Sequence, residues 1–428
     1  MRMRGSFLDD VLKLSIGTLT GRMITLAALP VLTRLYSPVD FALLAVFLAL
    51  VNTLAVGACL RLEIAIPLVK SDEEAGVVLI LALIVLGAIA LMLLIPALIL
   101  PDSLAGWLGA PGIAPYFWLV PVAVALAGSY SAFQYWSTRA RRFGDISRTR
   151  IGQAVLGVTV MLVLGWVGVA PLGLLLGNIL TAGAGGVSLA ISALRHNSAL
   201  LRPVPLSTLC AALRRQRNYP MLSVPEALLN LVGSQVPVLV IAANAGAEAG
   251  FLLLAMQAMA APMALLGSSI SQVYMSRAPQ EYRSGTLAAF TRTIIRRLVL
   301  VGVGPLTLVG VLAPTVFPLV FGAQWARAGD IAFWLVPWMA LQFVASPVSM
   351  VMYVVGWQKT MLLLTTLGSV IRVGLTSFGV SVWNTSIEAF AISSAAFYAI
   401  CLGVFVAAAS AKNNVDKEYG RIISTSDS

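Results

Sequence analysis

Residues 151–194 read IGQAVLGVTVMLVLGWVGVAPLGLLLGNILTAGAGGVSLAISAL, 44 positions without one Asp, Glu, Lys or Arg. A bilayer's hydrocarbon core is about 30 Å thick and a helix rises about 1.5 Å per residue, so roughly 20 apolar residues cross it. The stretch is twice that length and reads as two membrane helices turning near Gly168 to Pro171. Outward from it, residues 41–60, 75–100, 104–138, 227–246, 249–276, 298–325, 331–358 and 389–411 are equally free of charge. Two further spans, at 14–33 and 360–382, are each interrupted by a single charge, Arg22 and Arg372. About twelve spans make this an all-α, polytopic membrane protein with both ends on one side.

Composition agrees. Hydrophobic residues make up 59 % and charged residues 11 %, whereas about a quarter of residues are charged in soluble proteins, so a soluble enzyme is a poor fit. The amino-terminal segment is not a cleavable signal, because Asp9, Asp10 and Lys13 interrupt the required apolar core. Phe7, Leu8, Val11, Leu12 and Leu14 recur at helical spacing and suit an interfacial helix before the first span.

Lys and Arg set the orientation, since cations near span ends are held in the cytoplasm. The termini and alternate connections carry 24 of the chain's 28, and the opposite side has only Arg34 and Arg327. The expected location is the bacterial inner (plasma) membrane, multi-pass, with both termini cytoplasmic. The net charge of +11 is thereby a matter of topology, and no nucleic-acid partner is implied. The basic connections also suit anionic lipid headgroups, at about 1 kcal/mol per cation near the surface. Cys59, Cys210 and Cys401 have no paired spacing, so neither a disulfide framework nor a zinc site is indicated. His196, the only histidine, reads as a solvated loop residue, and no Walker loop is present. No cofactor or metal is implied.

The longest connection, about 195–221, leaves six spans on each side. Residues 1–205 read as an N-terminal six-helix lobe with its interfacial segment, 206–222 as an interfacial linker, 223–411 as a C-terminal six-helix lobe and 412–428 as a polar cytoplasmic tail. An even span count per half relates the lobes by an axis along the membrane normal, as in transporters with parallel repeats. In the linker Leu206, Leu209, Cys210 and Leu213 share a helical face, followed by Arg214, Arg215 and Arg217.

Function is sought where the membrane makes polar groups expensive, at about 2.5–3.5 kcal/mol for a charge in mid-span. Ser15, Thr18, Arg22 and Thr25 stack along one side of the first span, and Glu226, Asn230 and Ser234, joined by Gln235, repeat the device on the seventh. Asn52 and Gln257 add amides on the second and eighth. The candidate cavity set is therefore Thr18, Arg22, Thr25, Asn52, Glu226, Asn230, Ser234, Gln235, Gln257 and Arg372. Plainer readings stand beside it. Arg22 snorkels to the interface or faces a cavity; Arg372 is ion-paired to a neighbouring helix or meets a ligand; Glu226 sits at headgroup level or inside; the amides stitch helices or line a passage. Gly173 and Gly177 read as close helix packing, and Trp107, Trp325 and Trp357 as interface anchors.

The chain resembles the bacterial polysaccharide and O-antigen flippases of the multidrug/oligosaccharidyl-lipid/polysaccharide exporter superfamily. The resemblance lies in Phe321-Gly322-Ala323-Gln324-Trp325-Ala326-Arg327-Ala328-Gly329 with Pro337-Trp338, Gln342-Phe343 and Ser346-Pro347. It extends to Leu32-Thr33-Arg34-Leu35-Tyr36-Ser37-Pro38-Val39-Asp40-Phe41, where Ala42 replaces the usual glycine, and to Asn218-Tyr219-Pro220 and Gln235-Val236-Pro237. It implies two six-helix lobes around a central cavity, alternately open to either side, moving a polyprenyl-diphosphate-linked oligosaccharide. Arg22 would then bond the diphosphate and the amides the sugar hydroxyls. Implied partners are that glycan substrate and membrane lipid, with polysaccharide polymerase and glycosyltransferase neighbours. The alternatives are a drug or small-cation antiporter on the same fold, which should carry more intramembrane acid, and a membrane-embedded polymerase or acyltransferase, which needs a long outer loop or a buried His and carboxylate. Ion coupling would call for a buried carboxylate, for which Glu226 is the candidate; a charged substrate would instead feel the membrane potential.

Overall fold

A computed structural model describes residues 2–197, 204–383 and 386–411, and among them the chain is helical with no strand. Lipid offers backbone groups no hydrogen-bond partner, so a chain this apolar satisfies them within helices. Ten segments are long and apolar enough to cross a membrane. In chain order they are the first (Ser15–Leu35), second (Pro38–Gly57), third (Asp72–Ile99), fifth (Phe143–Trp166), sixth (Leu172–His196), seventh (Tyr219–Ala245), ninth (Leu287–Phe321), tenth (Ala323–Val348), eleventh (Lys359–Val380) and twelfth (Ser386–Ser410) spans. The helices Leu119–Arg139 and Glu248–Arg283 take the fourth and eighth places.

The breaks fall where backbone chemistry requires them. The fifth span ends at Trp166, Gly168 has a positive φ of 81°, and Pro171 precedes the sixth, as the charge-free stretch predicts. In the seventh and ninth spans a π turn, Tyr219–Ser223 and Val299–Val303, stands just before Pro225 and Pro305, whose missing N–H removes a regular helical bond. The connection before the fourth span differs from the simple reading of residues 104–138. A short helix, Pro101–Trp107, and a 3-10 turn, Pro111–Tyr116, occupy it, because three prolines and Gly109 at φ 64° interrupt a continuous helix.

Within the first half, the first span lies along the fifth, and the fifth along the sixth. Small residues permit the approach: a Cβ at Gly17 or Gly21 would press on Ser147 or the Arg150 carbonyl, and one at Gly177 on the Gly157 carbonyl. Tyr36 fills the space over Gly165 and Gly173 and donates its hydroxyl to the Met161 carbonyl at 2.6 Å. In the second half the tenth span is central, packed by the eighth, ninth and twelfth, while the eleventh bridges the seventh and twelfth. Between the halves runs the helix Leu206–Arg215, which buries Leu209 against the third span and pairs Arg215 with Glu74 at 2.9 Å. Leu206, Cys210 and Leu213 are not covered by the protein. The polar tail, 412–428, lies outside the described residues.

Candidate functional site at the seam between the halves

The halves meet through a few helices. The second span packs on the seventh and eighth, and the first on the eighth and ninth. These carry Arg22, Asn52, Glu226, Asn230, Gln235 and Gln257, so the expected meeting of the leading helices of each half is what the chain adopts.

On the side away from the cationic connections, called outer below, the two halves are bonded to each other. Ser37-Pro38-Val39-Asp40 starts the second span with a capping box, the Ser37 hydroxyl accepting from the Asp40 amide and the Asp40 carboxylate from the Ser37 amide. The preceding helix ends at Leu35, so its last carbonyls lack intrahelical donors. The Thr33 carbonyl finds them in the other half: Trp325 Nε1 and Gln324 Nε2 both donate to it at 2.9 Å. Trp325 is fully buried, edge-on to Phe41 at 4.9 Å and to Phe251 at 5.7 Å. The expectation that it anchors the chain at a lipid interface is therefore corrected. Trp107, 92 % exposed, has the environment of an interface residue; Trp325 is enclosed because the turn after Gly322 aims it inward across the seam. Gly250 completes the seal, since its Cα lies so near the Pro38 carbonyl that a Cβ would overlap it.

Further in, the candidate residues separate. Arg22, Asn52, Glu226 and Asn230 are exposed, and Gln235 and Gln257 half-buried. Among the described residues none of the six makes a hydrogen bond or ion pair. Thr18 accepts from Arg150, which also reaches Gln134 Oε1 at 3.4 Å, so the first, fourth and fifth spans are joined by a polar link. Thr25 and Ser234 donate to their own helices, to the Gly21 and Leu231 carbonyls. Arg372 is enclosed in the second half, 3 % exposed, with its guanidinium 4.4 Å from the centre of the Phe397 ring and Nε donating to the Gly368 carbonyl. No carboxylate pairs with it among the described residues, and Gly233 of the seventh span leaves room for the group.

Two charged residues were not legible from spacing. Arg150 reads as a loop cation, yet the fifth helix begins at Phe143 and carries it inward. Glu63 lies in the connection after the second span, where the chain folds back through Leu62–Ala65 and buries it to 5 % exposure against the third and fourth spans. Burial raises its pKa above the usual carboxylate range, a backbone hydrogen bond and Arg61 opposing. The buried carboxylate is thus Glu63, and Glu226 is exposed. Leu60 and Arg61, both at positive φ, break the helix just before Glu63, so spacing counted along the second span does not foretell which way it points.

The outer ion network lies wholly in the second half: Arg327 bonds Glu248 at 3.1 Å and Glu388 at 3.2 Å, tying the outer ends of the eighth, tenth and twelfth spans.

Two halves of membrane helices, bonded to each other at one end and carrying polar groups that lack partners among the described residues along their seam, make the chain a multi-pass membrane protein. The model of the polysaccharide biosynthesis protein family matches residues 31–330, a range that contains both halves of the outer seal, and the chain belongs to that family. Its fold is that of the multidrug/oligosaccharidyl-lipid/polysaccharide exporter superfamily. The lipid II flippase MurJ in an inward closed conformation superposes with a TM-score of 0.71 at 15 % identity, over 92 % of this chain and 86 % of MurJ. A MATE transporter in complex with MaL6 gives 0.57 at 15 %, over 94 % and 95 %. A MOP superfamily transporter from Pyrococcus furiosus gives 0.56 at 17 %, over 94 % of each chain. No curated protein sequence matches the chain.

Proposed function

We propose that the protein is a flippase that carries polyprenyl-diphosphate-linked oligosaccharide repeat units from the cytoplasmic to the periplasmic leaflet of the bacterial inner membrane, for O-antigen, capsule or exopolysaccharide assembly. Membership of the polysaccharide biosynthesis family is the observation that carries this reading. A charged glycan needs a polar path, because each unsatisfied polar group in hydrocarbon costs several kcal/mol. The halves, 1–205 and 223–411, rock about the seam while 206–222 tethers them, and the bonded outer ends represent the state closed to the periplasm. Arg22 meets the diphosphate with charge-assisted bonds, and Asn52, Asn230, Gln235 and Gln257 meet sugar hydroxyls. Thr18, Thr25 and Ser234 flank them, and Glu226 stands at the inner mouth. Arg372, enclosed in its own half, supports packing. The cationic connections, on the side of both termini, face the cytoplasm. A drug antiporter shares the fold, but the family match favours a glycan.

The test is transbilayer movement of a fluorescent polyprenyl-diphosphate glycolipid in vesicles containing only the purified protein. Movement should exceed that in protein-free vesicles, and Arg22→Ala should slow it about tenfold, the loss of one charge-assisted bond. No difference from protein-free vesicles ends the carrier reading; equal rates for Arg22→Ala remove that residue alone from the passage.

A further inference from the structure

A groove of about 670 Å³ separates the inner ends of the fifth and sixth spans, within the range of ligand pockets. Its lining is ordered along the membrane normal. On the fifth span Arg148, Gly152 and Leu156 follow one another at intervals of four residues, about 6 Å per step. On the antiparallel sixth span Arg195, Ile191 and Val187 descend in the same order. Cations therefore stand at the inner mouth, and apolar surface lies below them, with Leu156, Ile191 and Val187 each about half exposed.

The mouth has a surplus of positive charge. Its one acid, Asp145, is held by Arg142 at 2.7 Å and by the Ser192 hydroxyl at 3.0 Å. Arg148 and Arg195 are exposed and have no acid partner among the described residues, and residues 198–203 contain no acid in sequence. At Gly152 a Cβ would meet no atom within 4 Å, so the missing side chain opens the middle of the groove. The fifth and sixth spans pack against the first, second and fourth spans of their own half. The groove thus opens on the flank of that half, away from the seam through which a transported molecule must pass.

We propose that this groove binds an anionic glycerophospholipid of the bilayer. Its phosphodiester lies between Arg148 and Arg195, and one acyl chain runs over Gly152 between Leu156 and the Val187–Ile191 face. Basic pockets between helices at the cytoplasmic surface hold such headgroups by charge, and the apolar floor adds selectivity for a ligand with a tail. The occupant's chemistry follows from this order of cation and hydrocarbon, and it does not depend on what the seam transports.

The experiment uses the full-length protein in phosphatidylcholine nanodiscs and measures retention of added phosphatidylglycerol by native mass spectrometry. Phosphatidylglycerol should be retained at least tenfold over phosphatidylcholine. Arg148→Gln with Arg195→Gln should abolish that preference, at about fivefold for each cation. Gly152→Leu, which fills the groove and leaves every charge, should abolish it as well; should that variant not assemble, the double charge variant decides. Equal retention of the two lipids, or a preference unchanged in the double variant, overturns the proposal. So does displacement of the lipid by inorganic phosphate, which would make this a free-anion site, or by polyprenyl diphosphate at equal concentration, which would make it a substrate site.

Discussion

The indole Nε1 of Trp325 donates to the main-chain carbonyl of Thr33 at 2.9 Å, joining residues 292 apart in sequence. The acceptor is a carbonyl that the end of the first helix leaves without an intrahelical donor, and the donor comes from the turn that opens the tenth. One half of the molecule therefore caps a helix of the other. Two of the segments in which the sequence resembles the flippase family, 32–41 and 321–329, are these contacting pieces. Their shared chemistry is that of a closure between lobes.

Trp325→Phe keeps an aromatic ring beside Phe41 and Phe251 and removes the donor. The loss is about 1 kcal/mol of closure, close to fivefold in the open population, softened by Gln324, which still donates to Thr33. A cysteine at the buried Ala42 position, in a background with the exposed Cys210 replaced by Ser, should react several-fold faster with a membrane-impermeant maleimide in the Phe variant. An unchanged rate removes the bond from the closure.

Gly250 and Gly57 form a contrasting pair at the two ends of the seam. A Cβ at Gly250 overlaps the Pro38 backbone, whereas one at Gly57 stands 3.7 Å from Val224 Cγ1, an ordinary contact. Gly250→Ala should destabilise the closed state by about 1–3 kcal/mol, the usual range for overpacking, and Gly57→Ala should leave it nearly unchanged. Outer-end labelling of the two variants measures the difference; equal behaviour would contradict the packing described.

Glu63 supplies a pH dependence. Its folded pKa is raised by burial, so between the ordinary carboxylate pKa and the raised one the folded chain binds more protons than the unfolded chain. Stability from this group is fully present below the ordinary value and is lost as pH rises through the raised one. Glu63→Gln should flatten that slope and be at least as stable as the parent at neutral pH. Thermal unfolding in detergent from pH 4 to pH 8 (on the order of the window in which carboxylates and their raised forms titrate) reads it, and parallel curves for the two proteins would refute it.

Arg372 is enclosed within the second half. Among the described residues no carboxylate pairs with it, and it is stabilised by the Phe397 ring and the Gly368 carbonyl. Replacing a buried charge by an apolar residue of similar length is often neutral or stabilising. Arg372→Met should therefore change unfolding by no more than about 1 kcal/mol and leave glycolipid movement near the parent rate. A large loss of movement with unchanged stability would place Arg372 in the passage after all.

Sequence alone marked out where the chain forms membrane-spanning helices. Charge-free length, the turn at Gly168 to Pro171 and the alternation of Lys and Arg are one-dimensional quantities, and the membrane converts each into geometry because lipid tolerates neither bare backbone nor unpaired charge. It also marked the rare intramembrane polar groups, since their cost depends on depth and hence on position within a span. What each of these groups faces depends on which helices become neighbours. Trp325 has the local pattern of an interface residue and is buried among the first, second and eighth spans; Arg372 matches Arg22 as a single charge in a span, yet one is enclosed and the other exposed. Glu63 is drawn inside by a fold-back that Leu60 and Arg61, at positive φ, start after the second span. Packing between separate segments, 25 residues apart for Arg372 and Phe397 and 292 for Thr33 and Trp325, decided those environments, and no spacing rule along one helix contains that information.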